Sequence, residues 1–186
     1  MKFLERLLFV IPVGFRSRLK IMMFRFFGMK LGKNNRFAGG RCRAFRQISI
    51  GNDNSFFGGD YTIWPLGDDE RTIRINIKDN SIFNKNLYLD ACGYIEIGNG
   101  CLFGPDVYIT DSNHTTKRGI TSRDLPMDIG KVIIGDNCWI GAKAVILKDV
   151  ELGDHCIVAA GSVVTKSFPA GSMIAGVPAK LVKTLW

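Results

Sequence analysis

The sequence contains few prolines and histidines, and its cysteines form no paired motif. Its 186 residues include six Pro, two His and five Cys, with no two Cys spaced as Cys-X-X-Cys. An odd number of unpaired cysteines favours neither a disulfide framework nor a zinc ribbon. We therefore expect no metal site and a chain that works in reducing surroundings.

Long apolar runs are also missing. The apolar stretch Leu7–Phe15 has nine residues and includes Pro12 and Gly14, whereas a membrane-spanning helix needs about 20. Glu5 interrupts the basic start and no small-residue cleavage site follows, so the stretch does not resemble a signal peptide. We expect a cytoplasmic protein.

Acidic residues are nearly absent from the first quarter of the chain. Residues 1–46 contain twelve Lys and Arg against one Glu, whereas residues 47–186 contain thirteen basic and sixteen acidic residues. Such a basic segment is typical of proteins that meet nucleic acid, an anionic membrane surface or an anionic substrate. No recognition motif or aromatic platform accompanies it, so we expect no nucleic-acid partner.

A six-residue period dominates the rest of the sequence. Counting by six from Ile134 reaches only aliphatic residues (Ile140, Ile146, Leu152, Val158 and Val164), and shorter ladders start at Leu31, Ile50, Ile77 and Ile97. Gly often follows the aliphatic residue, and a small residue such as Cys101, Cys138 or Cys156 lies four positions after it. This period belongs neither to a helix nor to a continuous strand, but to a short strand and a turn repeated many times.

The period predicts an all-β solenoid with its large aliphatic residues pointing inward. Three sides of six residues per coil allow at most about seven coils between Leu31 and Phe168. The segments Tyr61–Thr72 and Thr110–Gly130 break the period. The second segment is long and polar, and such an insertion in a compact fold is usually functional or disordered. We expect three regions: a helical segment 1–30, a solenoid 31–168 with an inserted loop 110–131, and a tail 169–186.

The helical segment has two open interpretations. An apolar stripe (Phe15, Leu19, Met22, Met23, Phe26 and Phe27) is interspersed with basic residues. Such a helix can cap the open end of a solenoid. It can also be a basic amphipathic segment that rests on an anionic membrane, and the two roles are compatible.

The last third of the chain resembles a known family. The stretches CWIGAKAVIL, AAGSVVTK and AGVPAKLVK within Val132–Lys183 resemble the hexapeptide-repeat acyltransferases, in the branch of galactoside, maltose and bacterial polysaccharide O-acetyltransferases. The resemblance implies a left-handed parallel β-helix, an exception to the usual right-handed crossover. It also implies a homotrimer with active sites between subunits, and acetyl-CoA as the donor.

The same resemblance implies the catalytic residue and the donor site. His114, in the loop motif DSNHTT, corresponds to the general base, and a neutral imidazole can take a proton from a sugar hydroxyl. Asp111 and Asn113 either orient it or simply form turns. Ala142 would offer its backbone N–H to the thioester oxygen. The other implied acetyl-CoA contacts are Ala160, Thr165, Lys166, Lys180 and Lys183.

On the acceptor side, Asn86 matches a family residue that contacts the sugar. Asp90 points outward by strand alternation and can face the acceptor as well. Trp139 either walls the acceptor cleft or packs between subunits. His155 occupies a corner and is expected to be an exposed turn residue.

These features predict an acetyl-CoA-dependent O-acetyltransferase of a sugar hydroxyl in bacterial surface polysaccharide or lipopolysaccharide assembly. It would work in the cytoplasm or at the inner face of the membrane. An N-acetyltransferase of an amino sugar and a non-catalytic trimeric scaffold remain alternatives. The γ-type carbonic anhydrases share the fold but need three histidines for zinc, and this chain has two.

Overall fold

A computed structural model describes residues 11–116, 119–121 and 125–186. The first ten residues of the expected helical segment, and residues 117–118 and 122–124 of the expected loop, lie outside the described residues. An α-helix, α1 (Ile11–Phe26), precedes the strands, and a 3₁₀ turn covers Phe45–Gln47. The strands are β1 (Lys30–Leu31), β2 (Arg36–Cys42), β3 (Ile48–Ile50), β4 (Ser55–Pro65), β5 (Ile75–Ile77), β6 (Ile82–Phe83), β7 (Tyr88–Ala91), β8 (Tyr94–Ile97), β9 (Leu102–Phe103), β10 (Tyr108–Thr110), β11 (Ser112–His114), β12 (Met127–Ile129), β13 (Lys131–Ile134), β14 (Trp139–Ile140), β15 (Val145–Ile146), β16 (Val150–Leu152), β17 (Ile157–Val158), β18 (Val163–Val164), β19 (Ser172–Gly176) and β20 (Ala179–Thr184).

Parallel pairing arranges these strands into a β-helix with three faces. The first face is a sheet in the order β1-β3-β5-β8-β13-β16. The second face runs β4-β6-β9-β14-β17-β19, and the third runs β4-β7-β10-β15-β18, because β4 passes round the corner between them. Val132 pairs with Val150, eighteen positions later, so an uninterrupted coil is three six-residue repeats, as the period predicts.

The inward residues form the core. Phe37, Phe56, Phe83 and Phe103 stack from coil to coil, with ring centroids 4.5 to 4.9 Å apart. The three small inward cysteines of the period are buried as well, with free thiols. The six-residue period of the sequence therefore reflects the burial of every sixth side chain in the core.

The structure contains both predicted interruptions of the six-residue period, but the first begins later in the chain than the sequence predicted. The expectation that the first begins at Tyr61 is wrong: Tyr61 is buried and β4 continues to Pro65, with Thr62 paired to Tyr88. The irregular segment starts only after Pro65. The second interruption contains an antiparallel hairpin, β11 paired with β12, closed at its base by a hydrogen bond from Gly130 N to Asp111 O at 2.8 Å.

The solenoid also continues past the expected end at Phe168. Ile157 pairs in parallel with Met173, so β19 extends the second face by one more strand. The chain then turns back as β20, which pairs antiparallel with β19. This terminal hairpin carries the expected tail.

The helix lies against the first coil. Phe24 is buried between Phe37 and Phe45, at centroid distances of 5.2 and 5.5 Å. The Ser17 hydroxyl accepts a hydrogen bond from Phe37 N at 2.9 Å, and the Lys20 ammonium donates to the carbonyls of Gly39 and Gly40. Among the described residues, no helix is long and apolar enough to span a membrane.

Candidate active site

The predicted base stands on the inserted hairpin. His114 ends β11, pairs with Met127 of β12, and has an exposed side chain. The hairpin begins directly after β10, at the corner where the third face ends. In this column Ile109 pairs with Ile146, and Ile146 pairs with Val164. Successive coils are about 4.8 Å apart, so Thr110 and Thr165 lie on one corner about 10 Å apart.

Asp111 anchors the hairpin rather than the imidazole. Its fully buried carboxylate accepts hydrogen bonds from Cys92 N at 2.8 Å and from Gly93 N at 2.9 Å. Burial raises the pKa of Asp111 to about 6, although these two backbone amides act in the opposite direction. Asp111 thus ties the start of the loop to the coil before it.

A polar and aromatic surface covers the third face beside this corner. Asp90 pairs with Thr110, and Tyr108 donates a hydrogen bond to Asp90 Oδ2 at 3.2 Å. Asp90 Oδ1 is buried and has no hydrogen-bond partner within the described residues. Burial raises the pKa of Asp90 above its ordinary value. The Tyr88 and Tyr108 rings lie edge to face at 5.5 Å, next to this carboxylate.

The structure gives Asn86 a corner role. It adopts a left-handed backbone with φ of 60°, as do Asp106 and Lys143 at equivalent corners of the next coils. Its side-chain amide donates to Asp106 Oδ1 at 2.6 Å. An Asn tolerates this conformation better than most residues, so corner geometry is sufficient reason for its presence. The structure does not bring Asn86 into contact with His114.

Trp139 lies on the second face, away from the Asp90 surface. It pairs with Leu102 on one side and Ile157 on the other, and its side chain is largely exposed. Ile82, Leu102 and Trp139 form an exposed apolar ridge across three coils. A contiguous apolar ridge of this kind is typical of a protein interface.

Ala142 and Ala160 occupy the same corner in successive coils. A Cβ at Gly104 would lie 2.5 Å from Ala142 N, and a Cβ at Gly141 would lie 2.5 Å from Ala160 N, so both glycines permit the close approach. Neither alanine amide donates a hydrogen bond within the described residues. Two backbone donors are therefore stacked on a surface of small residues.

The predicted basic contacts are exposed at the C-terminal end. Thr165 and Lys166 follow β18, and the Lys166 ammonium lies 5.6 Å from the centre of the Phe168 ring. Lys180 and Lys183 lie on β20, paired with Ala175 and Met173. Three ammonium groups at one end of the solenoid can meet the phosphates of a nucleotide cofactor. No cluster of side chains able to hold a metal ion occurs in the described part of the chain.

His155 is the exposed corner residue that the sequence predicted. It has φ of 58° and its ring meets Trp186 edge to face at 5.3 Å. It lies between β16 and β17, on a different corner from the inserted hairpin.

Residues 131–166 match the family model described as bacterial transferase hexapeptide, six repeats. This segment of the chain is therefore similar to the hexapeptide-repeat transferases. The matched segment contains Trp139, Ala142, Ala160 and Lys166.

Two curated relatives carry acetyltransferase names. A putative acetyltransferase of Dictyostelium discoideum is 41% identical over 124 residues, which cover 62% of this chain and 64% of that protein. The putative lipopolysaccharide biosynthesis O-acetyl transferase WbbJ of Escherichia coli K12 is 32% identical over 117 residues, covering 59% of this chain and 60% of WbbJ. The matches thus span less than two thirds of each relative.

Solved structures share the fold of this chain. A hexapeptide-repeat acetyltransferase of Vibrio cholerae superposes with a TM-score of 0.67 at 22% identity, covering 91% of this chain and 81% of that one. A variant of AntD, an N-acyltransferase of Bacillus cereus solved with a dTDP-amino sugar and coenzyme A, gives 0.71 at 21% identity, covering 88% and 87%. At these identities the likeness shows the fold alone.

Sequence reasoning missed the two tyrosines of the third face. Tyr88 and Tyr108 hold equivalent outward positions, one residue before the inward Leu89 and Ile109. The signal was available, because outward residues one coil apart must be neighbours on a parallel sheet.

Proposed function

We propose that this protein is an acetyl-CoA-dependent O-acetyltransferase that acts on a sugar hydroxyl, with His114 as the general base. The observation that carries the proposal is the exposed His114 on a hairpin tied by Asp111 to the coils that lead into the hexapeptide repeats. An exposed imidazole on an anchored hairpin is accessible to substrate while its backbone is held in place.

The donor half of the site would use the stacked alanine corner. The Ala142 N–H would donate to the thioester oxygen, and the Ala160 backbone would contact the pantetheine arm. Lys166, Lys180 and Lys183 would meet the CoA phosphates, each as a point charge rather than a bidentate fork. The support is that both amides lack a partner within the described residues and that the three lysines are exposed.

Acetyl transfer then needs one proton acceptor. Neutral His114 takes the proton of the sugar hydroxyl as its oxygen attacks the thioester carbonyl, and such general-base assistance is worth typically 10²–10⁴-fold. The negative charge on the carbonyl oxygen is stabilised by the Ala142 N–H of a neighbouring subunit, because within one chain Ala142 precedes β15 and the hairpin follows β10, at opposite edges of the third face. Collapse of the intermediate breaks the C–S bond, and the imidazolium returns its proton to the CoA thiolate.

The acceptor would lie on the third face, between Asp90 and the hairpin. Asp90 Oδ1 has no partner among the described residues but is shielded from solvent, so a sugar hydroxyl would donate to it after a rotation of the Asp90 side chain. The edge-to-face pair of Tyr88 and Tyr108 offers an apolar surface for a sugar ring. We keep the proposal that Asn86 contacts the acceptor from its corner position. Its side-chain nitrogen already donates a hydrogen bond to Asp106.

We also propose a homotrimer of left-handed β-helices with an active site at each subunit boundary. The apolar ridge of Ile82, Leu102 and Trp139 is the surface that would meet the neighbour, which assigns Trp139 to subunit packing. Because the ridge borders the alanine corner, a neighbouring chain there would form the second wall of the donor site. Region 1–30 would then serve as the cap, the solenoid from residue 31 to the end of β19 as the catalytic body, and β20 as the CoA-contacting tail.

The WbbJ relative supports bacterial surface polysaccharide or lipopolysaccharide assembly, in the cytoplasm or at the inner membrane face, as the setting. The test is to incubate purified protein with acetyl-CoA and a panel of sugars, sugar nucleotides and lipid-linked sugars, measuring CoA thiol release and locating the new acetyl group by mass spectrometry and NMR. We expect an ester on a sugar oxygen. An amide on an amino sugar would establish the N-acetyltransferase alternative, and CoA binding without transfer to any acceptor class, or no CoA binding at all, would favour the scaffold.

A further inference from the structure

The apolar face of the N-terminal helix α1 is exposed to solvent. Phe15, Leu19, Met22 and Phe26 are 71%, 56%, 66% and 85% exposed. They follow the i, i+4, i+7, i+11 spacing of a single helix face. The opposite side carries Ser17, Lys20, Ile21 and Phe24, which meet the first coil. At 100° per residue the centres of the two faces are about 180° apart, so capping the solenoid leaves the apolar face free.

Basic residues border this apolar face on both sides. Arg16 lies on one border, and Arg18 and Arg25 lie on the other, by the same helical geometry. Between residues 11 and 52 the chain has ten Lys and Arg and no acidic residue. The positive charge of the whole protein is concentrated at this end, since residues 47–186 carry three more acidic than basic residues.

A groove of about 1370 Å³ runs between the helix and the first two coils. Four cationic side chains line it (Arg18, Arg25, Lys33 and Arg36), and Asp53 is the acidic residue among its lining. Arg25 is held in place by hydrogen bonds to the carbonyls of Leu31 and Gly32 at 3.2 and 2.8 Å. Anionic groups are therefore attracted directly beside the apolar face.

We propose that this surface binds an anionic phospholipid bilayer, with the apolar face of α1 inserted at the interface and the lipid phosphates beside the bordering arginines. The charge pattern argues for this occupant over a two-fold contact with a second copy of the chain, because that contact would bring two strongly basic surfaces together, and the trimer proposed above uses the apolar ridge of the second face instead. A bilayer supplies both an apolar layer and a dense negative surface within the width of one helix. The surface lies at the opposite end of the solenoid from β19 and β20, so docking leaves the C-terminal end free.

The experiment measures the partition of the full-length protein onto vesicles by sedimentation. We expect saturable binding to vesicles with about 30 mol% phosphatidylglycerol, little binding to pure phosphatidylcholine, and loss of binding as salt is raised to about 0.5 M. Binding to both lipids equally, or to neither, would overturn the proposal.

Two variants with exposed substitutions test the surface without disturbing the core. Leu19→Gln with Phe26→Gln should lower the partition coefficient at least about tenfold. Arg18→Gln should lower it about fivefold on anionic vesicles. The control is Val177→Gln, an apolar residue that is 71% exposed at the other end of the solenoid, which should bind as the wild type does.

Light scattering of the same variants tests the alternative that the apolar face of α1 binds a second copy of the chain. The apolar double variant should keep the wild-type mass and thermal stability while losing vesicle binding. A double variant that changes oligomeric mass and retains vesicle binding would identify the face as a subunit interface and contradict the proposal. Because the assay needs no acetyl-CoA, its outcome is independent of the transferase activity.

Discussion

The Asp111 carboxylate accepts a hydrogen bond from the backbone amide of Cys92 at 2.8 Å, and this contact fixes the base of the hairpin that carries His114. Asp111→Asn replaces one acceptor oxygen by a donor, which leaves a buried amide unsatisfied. We expect a loss of about 1–3 kcal/mol in the free energy of unfolding. Turnover should fall as well, because the hairpin is no longer held, whereas CoA affinity should stay near the wild-type value.

The same carboxyl should make stability depend on pH. Burial raises the pKa of Asp111 to about 6, from an ordinary value of 3.8. Because the folded protein holds this proton more tightly than the unfolded chain, its stabilising contribution is complete below about pH 4 and is lost as pH rises through about 6. Denaturant unfolding of the wild type and of Asp111→Asn between pH 4 and 7 measures this contribution to the free energy of unfolding. If the difference between the two proteins does not change with pH, Asp111 is not the source of the pH dependence.

Two phenylalanines of α1 provide a matched test of which face packs. Phe24 is 2% exposed and Phe26 is 85% exposed, two positions apart on the same helix. Phe24→Ala should cost about 3–5 kcal/mol of unfolding free energy, since it empties the space between Phe37 and Phe45. Phe26→Ala should change stability by less than about 0.5 kcal/mol. Equal losses in chemical denaturation would mean that the helix packs differently.

The apolar ridge on the second face predicts the oligomeric state. Three chains of 20.7 kDa make a trimer of about 62 kDa. Leu102→Glu with Trp139→Glu puts two charges on the ridge and should shift the mass from light scattering towards the monomer. Lys131→Ala, on the charged first face where it pairs with Glu151, should leave the mass unchanged. A trimer that survives the ridge variant would place the interface elsewhere.

The lysines of the C-terminal end predict the strength of donor binding. Calorimetric titration with CoA and acetyl-CoA should give saturable binding, and Lys166→Ala should weaken it about three- to tenfold. Lys131→Ala removes an exposed ammonium from the first face, where it pairs with Glu151, and serves as the control. An unchanged CoA affinity in Lys166→Ala would remove that residue from the phosphate contacts.

The repeat could be predicted because it is a local burial pattern. Each coil needs one large inward residue per side, so Ile134 and its successors mark the core whatever the rest of the chain does. The end of the strand at Pro65 could not be found in this way. Tyr61–Pro65 belongs to the sheet because Thr62 and Ile63 pair with Tyr88 and Leu89, which lie 26 positions later.

The helix shows the complementary difficulty. Its sequence contains a clear apolar stripe, but polar contacts of Ser17 and Lys20 with backbone groups, together with the single ring of Phe24, set the packed face. The sequence period identifies an apolar stripe on the helix, but it does not show whether that stripe or the opposite face packs against the solenoid. In the same way the motif around Asp111 did not distinguish an imidazole partner from a loop anchor, because the amides of Cys92 and Gly93 approach only in three dimensions.

The most direct test of acetyl transfer by His114 is a comparison of wild type and His114→Ala with the same acceptor, measuring turnover by thiol release and CoA affinity by calorimetry. The general-base role predicts a fall in kcat of at least about 10²-fold, with CoA affinity nearly unchanged and the unfolding midpoint retained. Turnover that survives the substitution would contradict the assignment of His114 as the base.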